Sequence, residues 1–326
     1  MKSLQESQET QQEKKPFEEY QLKNDRIELG FLPEFGCHWS RLRFSVKGQW
    51  LDFLVYVPDH DALLRRPTGY GSYLMAPWSN RIAAASFEFE GKRYPLRENF
   101  PDKTAIHGDV RTRPWKVGAS TPERFEASLD SRDSRDFNYP FALVYRHSLE
   151  LSAERLRVEL SIENVDSTRA PVGFGFHPFL RRRLTRLDRD VILVVPADKV
   201  YPAEACIPTG GPVGVSGRTD LRHLKLLGKP GLDQCFTGLR HGEFRVIYPG
   251  TRVEVRFNMD PVFTHAVIYA PNDPTGKPRE FVALEPVTHA NDGFNLLARG
   301  VEDTGVKVLE PGERWGGGWE LSIGDV

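Results

Sequence analysis

Four stretches of the sequence hold ionisable or amide side chains among apolar residues and glycines, where an ordinary surface loop would be more freely polar: APWSNRI (76–82), AIHGDVRTRPW (105–115), GFGFHPF (173–179) and VALEPVTHANDGFN (282–295). A weaker fifth is GLDQCF (231–236). Glu285 follows Phe-Val-Ala-Leu and precedes a proline, which reads as the end of a buried strand. Apolar surroundings raise a carboxyl's pKa, and the carboxylate is then a stronger base near neutral pH. A structural ion pair, or a glutamate turned to solvent, would use the same residue. His177 lies between Phe176 and Pro178, just after Gly173 and Gly175, so that backbone can approach a ligand while the imidazole projects from a constrained turn. Its ordinary pKa of about 6.5 suits proton donation at neutral pH. A hydrogen-bonded core histidine is the other reading, and His107, followed by Gly108, invites the same two.

Asn80 and Arg81 follow a Pro-Trp-Ser turn and offer several donors to a hydroxyl-bearing ligand, or equally a capped turn and a surface arginine. Asp233, in a Gly-Leu-Asp turn, would accept from two adjacent hydroxyls or merely close the turn. The nine histidines fall into neither His-x-x-x-His nor His-Glu-x-x-His spacing, and no Gly-x-Ser-x-Gly elbow occurs, so nothing favours a metal or a serine nucleophile.

The elements that must position these residues are strands. Segments such as DRIELGF, WLDFLVYV, FALVYRHSLEL, RLRVELSIENV and RVEVRFN recur between Gly, Pro, Asn and Asp. In Arg155–Ile162 and Arg252–Phe257 every second residue is apolar, as in a sheet with one solvated face. Helical spacing is confined to short runs near Asp61–Arg66 and Thr219–Leu227. Many short strands with few helices predict an all-β sandwich or barrel. No GxGxxG or P-loop element follows a strand to suggest a nucleotide fold. The polar residues 1–16 read as a solvated arm, and 17–326 as one domain without internal repeats.

The composition narrows the partners. Lys and Arg (44) nearly balance Asp and Glu (45), which provides no large field to attract nucleic acid or an anionic membrane. Three scattered cysteines fit no disulfide framework, and no signal-like or membrane-spanning apolar run is present, so a reducing, cytoplasmic setting is expected. A monomer or a homodimer fits these features.

In their order along the chain, these segments resemble the aldose 1-epimerase (galactose mutarotase) family. NRIAAASFEFEGKRYPL carries the most specific likeness, followed by GFGFHPF and the Glu-Pro of LEPVTHANDGFN; the likeness extends from PEFGCHWSRLRF to TGVKVLEPGERW. The resemblance implies a large antiparallel supersandwich with an open carbohydrate cleft, no cofactor, and a small-molecule sugar substrate whose α and β anomers are interconverted. It implies Glu285 as general base, His177 as general acid, His107 as the second active-site histidine, Asn80 and Arg81 as substrate-binding residues, and Asp233 as the carboxylate that holds sugar hydroxyls. One departure follows His107: Gly-Asp-Val-Arg-Thr-Arg-Pro-Trp replaces the family's further glycines, and no Asn stands two before the histidine. Arg111 and Arg113 there are similar to the His-Gly-x-x-Arg…Trp pattern of hexose-6-phosphate epimerases, and an arginine pair could hold a phosphate bidentately. Two surface arginines would look the same. The alternatives are therefore a hexose-6-phosphate 1-epimerase on the same fold, a non-catalytic carbohydrate-binding protein and, last, a structural adhesion module.

Overall fold

A computed structural model describes residues 17–228, 231–240 and 242–325; the polar arm expected at 1–16 lies outside the described residues. The alternation seen in the sequence becomes the burial pattern of the strands. Leu156, Val158, Leu160 and Ile162 are buried while Arg155 and Glu159 are exposed, and this strand, Arg155–Asn164, pairs with Leu143–Leu151 on one side and Arg314–Asp325 on the other. These three form the middle of a nine-stranded sheet.

An eight-stranded sheet faces it and includes Leu232–Leu239, His265–Ala270, Phe281–Val287, Gly175–Phe176 and Leu74–Met75. Trp319 of the larger sheet packs edge to face on Phe176 of the smaller and stacks on Phe257, joining both sheets in one core. A buried side chain of this size contributes on the order of 2 kcal/mol. A four-stranded sheet, Tyr20 to Asp52, adds Phe31, Trp39, Phe44 and neighbours to that core. All pairings between the named strands are antiparallel, as expected for an all-β sandwich.

The two faces of the eight-stranded sheet differ, because successive side chains on a strand point to opposite sides. Val282 and Leu284 enter the main core together with Phe236, Ala266 and Ile268. Val287 belongs to a second, smaller cluster with Tyr73, Met75 and Phe179, as do Cys235 and Val267, the cross-strand row neighbours of Glu285. Glu285, two residues from Val287, shares that second face. The sheet thus has a greasy back that anchors it and a mixed front available for a site.

Two α-helices occur among the described residues, His60–Arg65 and Gly293–Ala298. The first agrees with the sequence reading and is capped by Asp59, which accepts from the Ala62 amide. Thr219–Leu227 is not helical: a 3-10 turn ends at Thr219 and a short strand, Lys225–Leu226, follows. The Gly293–Ala298 helix, which no sequence signal marked, starts at Asp292, whose positive φ of 53° makes it an unusual cap.

Candidate active site

Gly175 pairs with Val287 and Phe179 with Ala283, so one antiparallel register sets His177 directly opposite Glu285. His177 therefore stands not in a turn but in the break between two short strands, its amide donating to the Tyr73 carbonyl. Glu285 is not at a strand end either. The strand continues through Pro286 to Val287, since losing one donor removes only one bond of the ladder. His177 Nε2 lies 3.2 Å from Glu285 Oε1, and both residues are almost wholly buried.

Their surroundings are mainly rings. Tyr73 stacks on His177 with centroids 4.7 Å apart, Phe179 flanks it at 4.5 Å, and His107 meets it edge on at 5.2 Å. Burial pushes the Glu285 carboxyl well above the usual carboxylate range, and the Asp233 charge adds to the shift while Arg81 opposes it. Burial draws His177 down to about 3; its own backbone carbonyl offsets part of this, while Arg111 and then His38 reinforce it. The expectation of an ordinary histidine pKa is thereby corrected by desolvation. Both shifts favour protonated Glu285 beside neutral His177, and the ion pair differs from that state by one proton moved across the 3.2 Å contact. Glu285 Oε2 has no hydrogen-bond partner among the described residues.

Asn80, Arg81 and His107 are held as a unit. Arg81 and Ile82 pair with Ile106 and Ala105, and the Trp78 indole donates to the Ala105 carbonyl. The His107 amide donates to the Asn80 carbonyl, and the Asn80 amide donates to His107 Nδ1. Nδ1 is thus an acceptor, and the proton of the neutral ring sits on Nε2. Burial keeps His107 uncharged, and His177, Arg111 and Arg81 add to the effect. Asn80 and His107 have positive φ, 51° and 62°. Asparagine tolerates this region, whereas for histidine it costs on the order of 1 kcal/mol, strain of the kind that clusters at functional sites. Arg81 is fixed by Asp102, 2.7 Å from its Nε, and lies over the Phe100 ring.

Asp233 lies on the strand Leu232–Leu239 rather than in a turn. It pairs in register with Tyr269, which places it on the Glu285 face, and accepts from the Cys206 thiol at 3.2 Å. Burial raises its pKa, opposed by that thiol and by Arg81. The two loop arginines separate. Arg111, on the 3-10 turn Val110–Thr112, is buried and lines the cleft, whereas Arg113 is engaged by Asp109 at 2.7 Å and Asp136 at 2.6 Å and does not. The arginine pair proposed from sequence is therefore a single arginine.

Glu285, His177, His107, Asn80, Arg81, Asp233 and Arg111 all line one cleft of about 500 Å³, within the usual range for small-molecule sites. Two depressions of about 630 Å³ elsewhere do not combine a buried acid, base and amide donor, so size alone does not select the site. Sequence reasoning missed the walls: Tyr73, Phe179 and Tyr269, the Asn99–Pro101 loop, and Arg65 and Arg66 at the end of the first helix. It also missed the supports. His289 accepts from the Ser79 amide at 3.0 Å, and Asp292 accepts from the Ala83 amide while its own amide donates to the Arg81 carbonyl. Both occur in the quoted THANDGFN segment, so position alone marked them. Gly173 and Gly175 do not admit a ligand: a Cβ on Gly173 would lie 1.9 Å from His289 and one on Gly175 2.6 Å from Val287. Among the described residues, no group of three or more His, Cys, Asp or Glu side chains is arranged to hold a metal ion, nor is any helix long and apolar enough to cross a membrane.

A β-sandwich with such a cleft on its smaller sheet is of the galactose mutarotase-like class. It superposes on a galactose mutarotase-like protein from Clostridium acetobutylicum with a TM-score of 0.80 at 20% identity, over 94% of this chain and 95% of that one. Galactose 1-epimerase from Lactobacillus acidophilus NCFM gives 0.74 at 18% identity, over 94% and 93%. The chain belongs to the aldose 1-epimerase family, whose sequence profile it matches over residues 18–322. Relatives include YihR of Escherichia coli (strain K12), 31% identical over 42% of this chain and 44% of that protein. Human galactose mutarotase is 27% identical over 69% of this chain and 66% of its own length. The matched region thus spans less than half of YihR and about two thirds of the human protein.

Proposed function

We propose that the protein is an aldose 1-epimerase that interconverts the α and β anomers of an aldohexose such as glucose or galactose. The observation that carries this reading is the His177–Glu285 contact inside a cleft lined by Asn80, Arg81, His107 and Asp233. Starting from the ion-pair state, the Glu285 carboxylate removes the C1 hydroxyl proton while the His177 imidazolium protonates the ring oxygen. The C1 to ring-oxygen bond breaks with its electron pair on that oxygen, and an open-chain aldehyde forms. The pair is left as protonated Glu285 and neutral His177, the state that burial favours. Rotation about C1–C2 presents the other carbonyl face, and reclosure returns both protons. Proton and electron counts are unchanged over the cycle, so the chemistry asks for no redox partner. His107 Nε2–H, Asn80 and Arg81 supply donors to the sugar hydroxyls, and Asp233 an acceptor.

Polarimetry on freshly dissolved α-D-glucose and α-D-galactose tests this. Acceleration that Glu285→Gln reduces about 10³-fold supports the mechanism, since a positioned acid or base contributes roughly 10²- to 10⁴-fold. Sugars that bind without faster mutarotation would identify a non-catalytic carbohydrate-binding protein instead.

A further inference from the structure

Tyr73 is a polar group of the cleft for which the reaction described above has no use. It lines the same wall as Glu285 and His177 and is only 2% exposed, and its hydroxyl has no hydrogen-bond partner among the described residues. Buried hydroxyls are usually partnered, because a bond left unmade there costs stability. The ring has no freedom to seek a partner elsewhere. It stacks on His177 at 4.7 Å with the planes 25° apart and meets His107 edge on at 5.6 Å, while His38 at 5.8 Å and Phe179 at 6.2 Å close the remaining sides. Its backbone is fixed as well. The Tyr73 carbonyl accepts from the His177 amide, and the next two residues, Leu74 and Met75, pair with Phe176 and Gly175.

The charges that reach the phenol show which way it faces. Burial pushes it well above its ordinary value, and the groups acting on it after that are Arg111, Glu285, Tyr269 and Arg81, all of them cleft residues. Tyr73 therefore keeps its proton at neutral pH and is a rigid, neutral donor in need of an acceptor. Glu285, the first carboxyl among those groups, has the complementary need: its Oε2 is buried and unpartnered too, and as a carboxylate it accepts only. A sugar hydroxyl both donates and accepts, so one hydroxyl satisfies the two groups at once. The C1 hydroxyl is the one that must reach Glu285 for ring opening.

We propose that Tyr73 is a third catalytic residue, its hydroxyl donating a hydrogen bond to the C1 oxygen of the sugar while Glu285 takes the proton from that oxygen. As the proton leaves, negative charge builds on the C1 oxygen until the bond to the ring oxygen breaks and the oxygen becomes that of the aldehyde. A fixed donor aimed at an atom where charge develops is worth more in the transition state than in the bound sugar. Tyr73 keeps its proton throughout, so the balance of the step is unchanged: one proton goes to Glu285, and one goes from His177 to the ring oxygen.

This inference rests on the epimerase reading, and one experiment separates their fates. Tyr73→Phe removes the hydroxyl and leaves the ring on His177. Anomer exchange of glucose and galactose is measured by NMR over a range of sugar concentrations, with spontaneous rates subtracted, for the wild type and the variant, beside a urea titration of each. The expected result is a kcat at least tenfold lower in Tyr73→Phe, a KM within threefold of the wild type, a pH profile of unchanged shape, and a urea midpoint equal to or above that of the wild type, because a buried hydroxyl without a partner has been removed. Activity and stability then move in opposite directions or stability stays level, which a structural role for the hydroxyl does not produce. A kcat reduced less than tenfold overturns the inference and leaves the epimerase standing. A raised KM with kcat unchanged places the hydroxyl on another part of the sugar and overturns the assignment to the C1 oxygen. A lowered midpoint assigns the hydroxyl to the fold and overturns it as well. A wild type that accelerates neither sugar overturns the epimerase reading for these substrates, and the inference falls with it.

Discussion

His177 Nε2, in the break between two short strands, lies 3.2 Å from Glu285 Oε1 on the strand opposite, close enough for the acid and base of the proposed reaction to share one proton before any substrate arrives. Burial sets the terms of that sharing, raising one pKa and lowering the other. The pair keeps its single proton from about pH 3, where His177 would take a second, up to the raised pKa of Glu285, where the proton is lost.

The pH profile should reflect this. Since kcat/KM follows the ionisations of the free enzyme, it should be level across the acid side of neutrality while the protein stays folded, and should decline only on the alkaline side as Glu285 ionises. An ordinary solvated histidine acid would instead produce an inflection near about pH 6.5. Finding that inflection in the wild type would show that His177 is not desolvated as described.

Stability should depend on pH for a related reason. His38, His147 and His289 are drawn down to about 4, and His177 and His265 to about 3, in each case first by burial. These histidines are neutral in the folded chain and protonate near their ordinary pKa when unfolded, so their contribution is present above about pH 6.5 and lost as pH falls toward 4. Each then removes about 1.4 kcal/mol per pH unit. His107 is held neutral by burial in the same way, while Glu285, Asp233 and Asp292, with raised pKa, contribute with the opposite sign, three carboxyls against six histidines. The urea midpoint should therefore fall steeply between pH 6.5 and 5, and an unchanged midpoint over that interval would contradict the prediction.

Arg81 depends on Asp102, whose carboxylate also accepts from the Thr104 hydroxyl at 2.6 Å. Asp102 is substantially exposed, so Asp102→Asn should leave the fold intact. Freed from its clamp, Arg81 should sample several rotamers, and kcat/KM should drop about tenfold, equivalent to about 1.4 kcal/mol, mainly through KM. Steady-state kinetics beside a thermal melt check this; an equal loss in kcat with KM unchanged would mean that Arg81 acts in the transition state alone.

How much of this was legible depended on whether the information was local. The strands were readable because alternation such as that of Arg155–Ile162 directly encodes one buried face. Glu285 and His177 stood out by residue type among apolar neighbours, but their opposition is a matter of register between segments about a hundred residues apart. Arg111 and Arg113 looked equivalent in sequence. Arg111 lies within a 3-10 turn and Arg113 just past it in extended backbone, so the two side chains point different ways and only Arg111 reaches the cleft. Arg65 and Arg66 were invisible as site residues because folding alone brings the end of the first helix to the cleft.

Gly173 is the residue whose role differs most from its reading in sequence, and it provides a sharp test. A Cβ there would stand 1.9 Å from Cδ2 of His289, the ring that holds the Ser79 amide and with it the turn leading to Asn80 and Arg81. His289 is buried and cannot easily step aside. Gly173→Ala should therefore destabilise the protein by about 2 to 3 kcal/mol, the cost of overpacking a filled core, and lower kcat/KM as the turn shifts. Had the glycine served to let backbone approach the sugar, the substitution would raise KM while leaving stability unchanged. Chemical denaturation of Gly173→Ala separates the two: a wild-type midpoint with a raised KM would return the glycine to the ligand, and a lowered midpoint assigns it to His289.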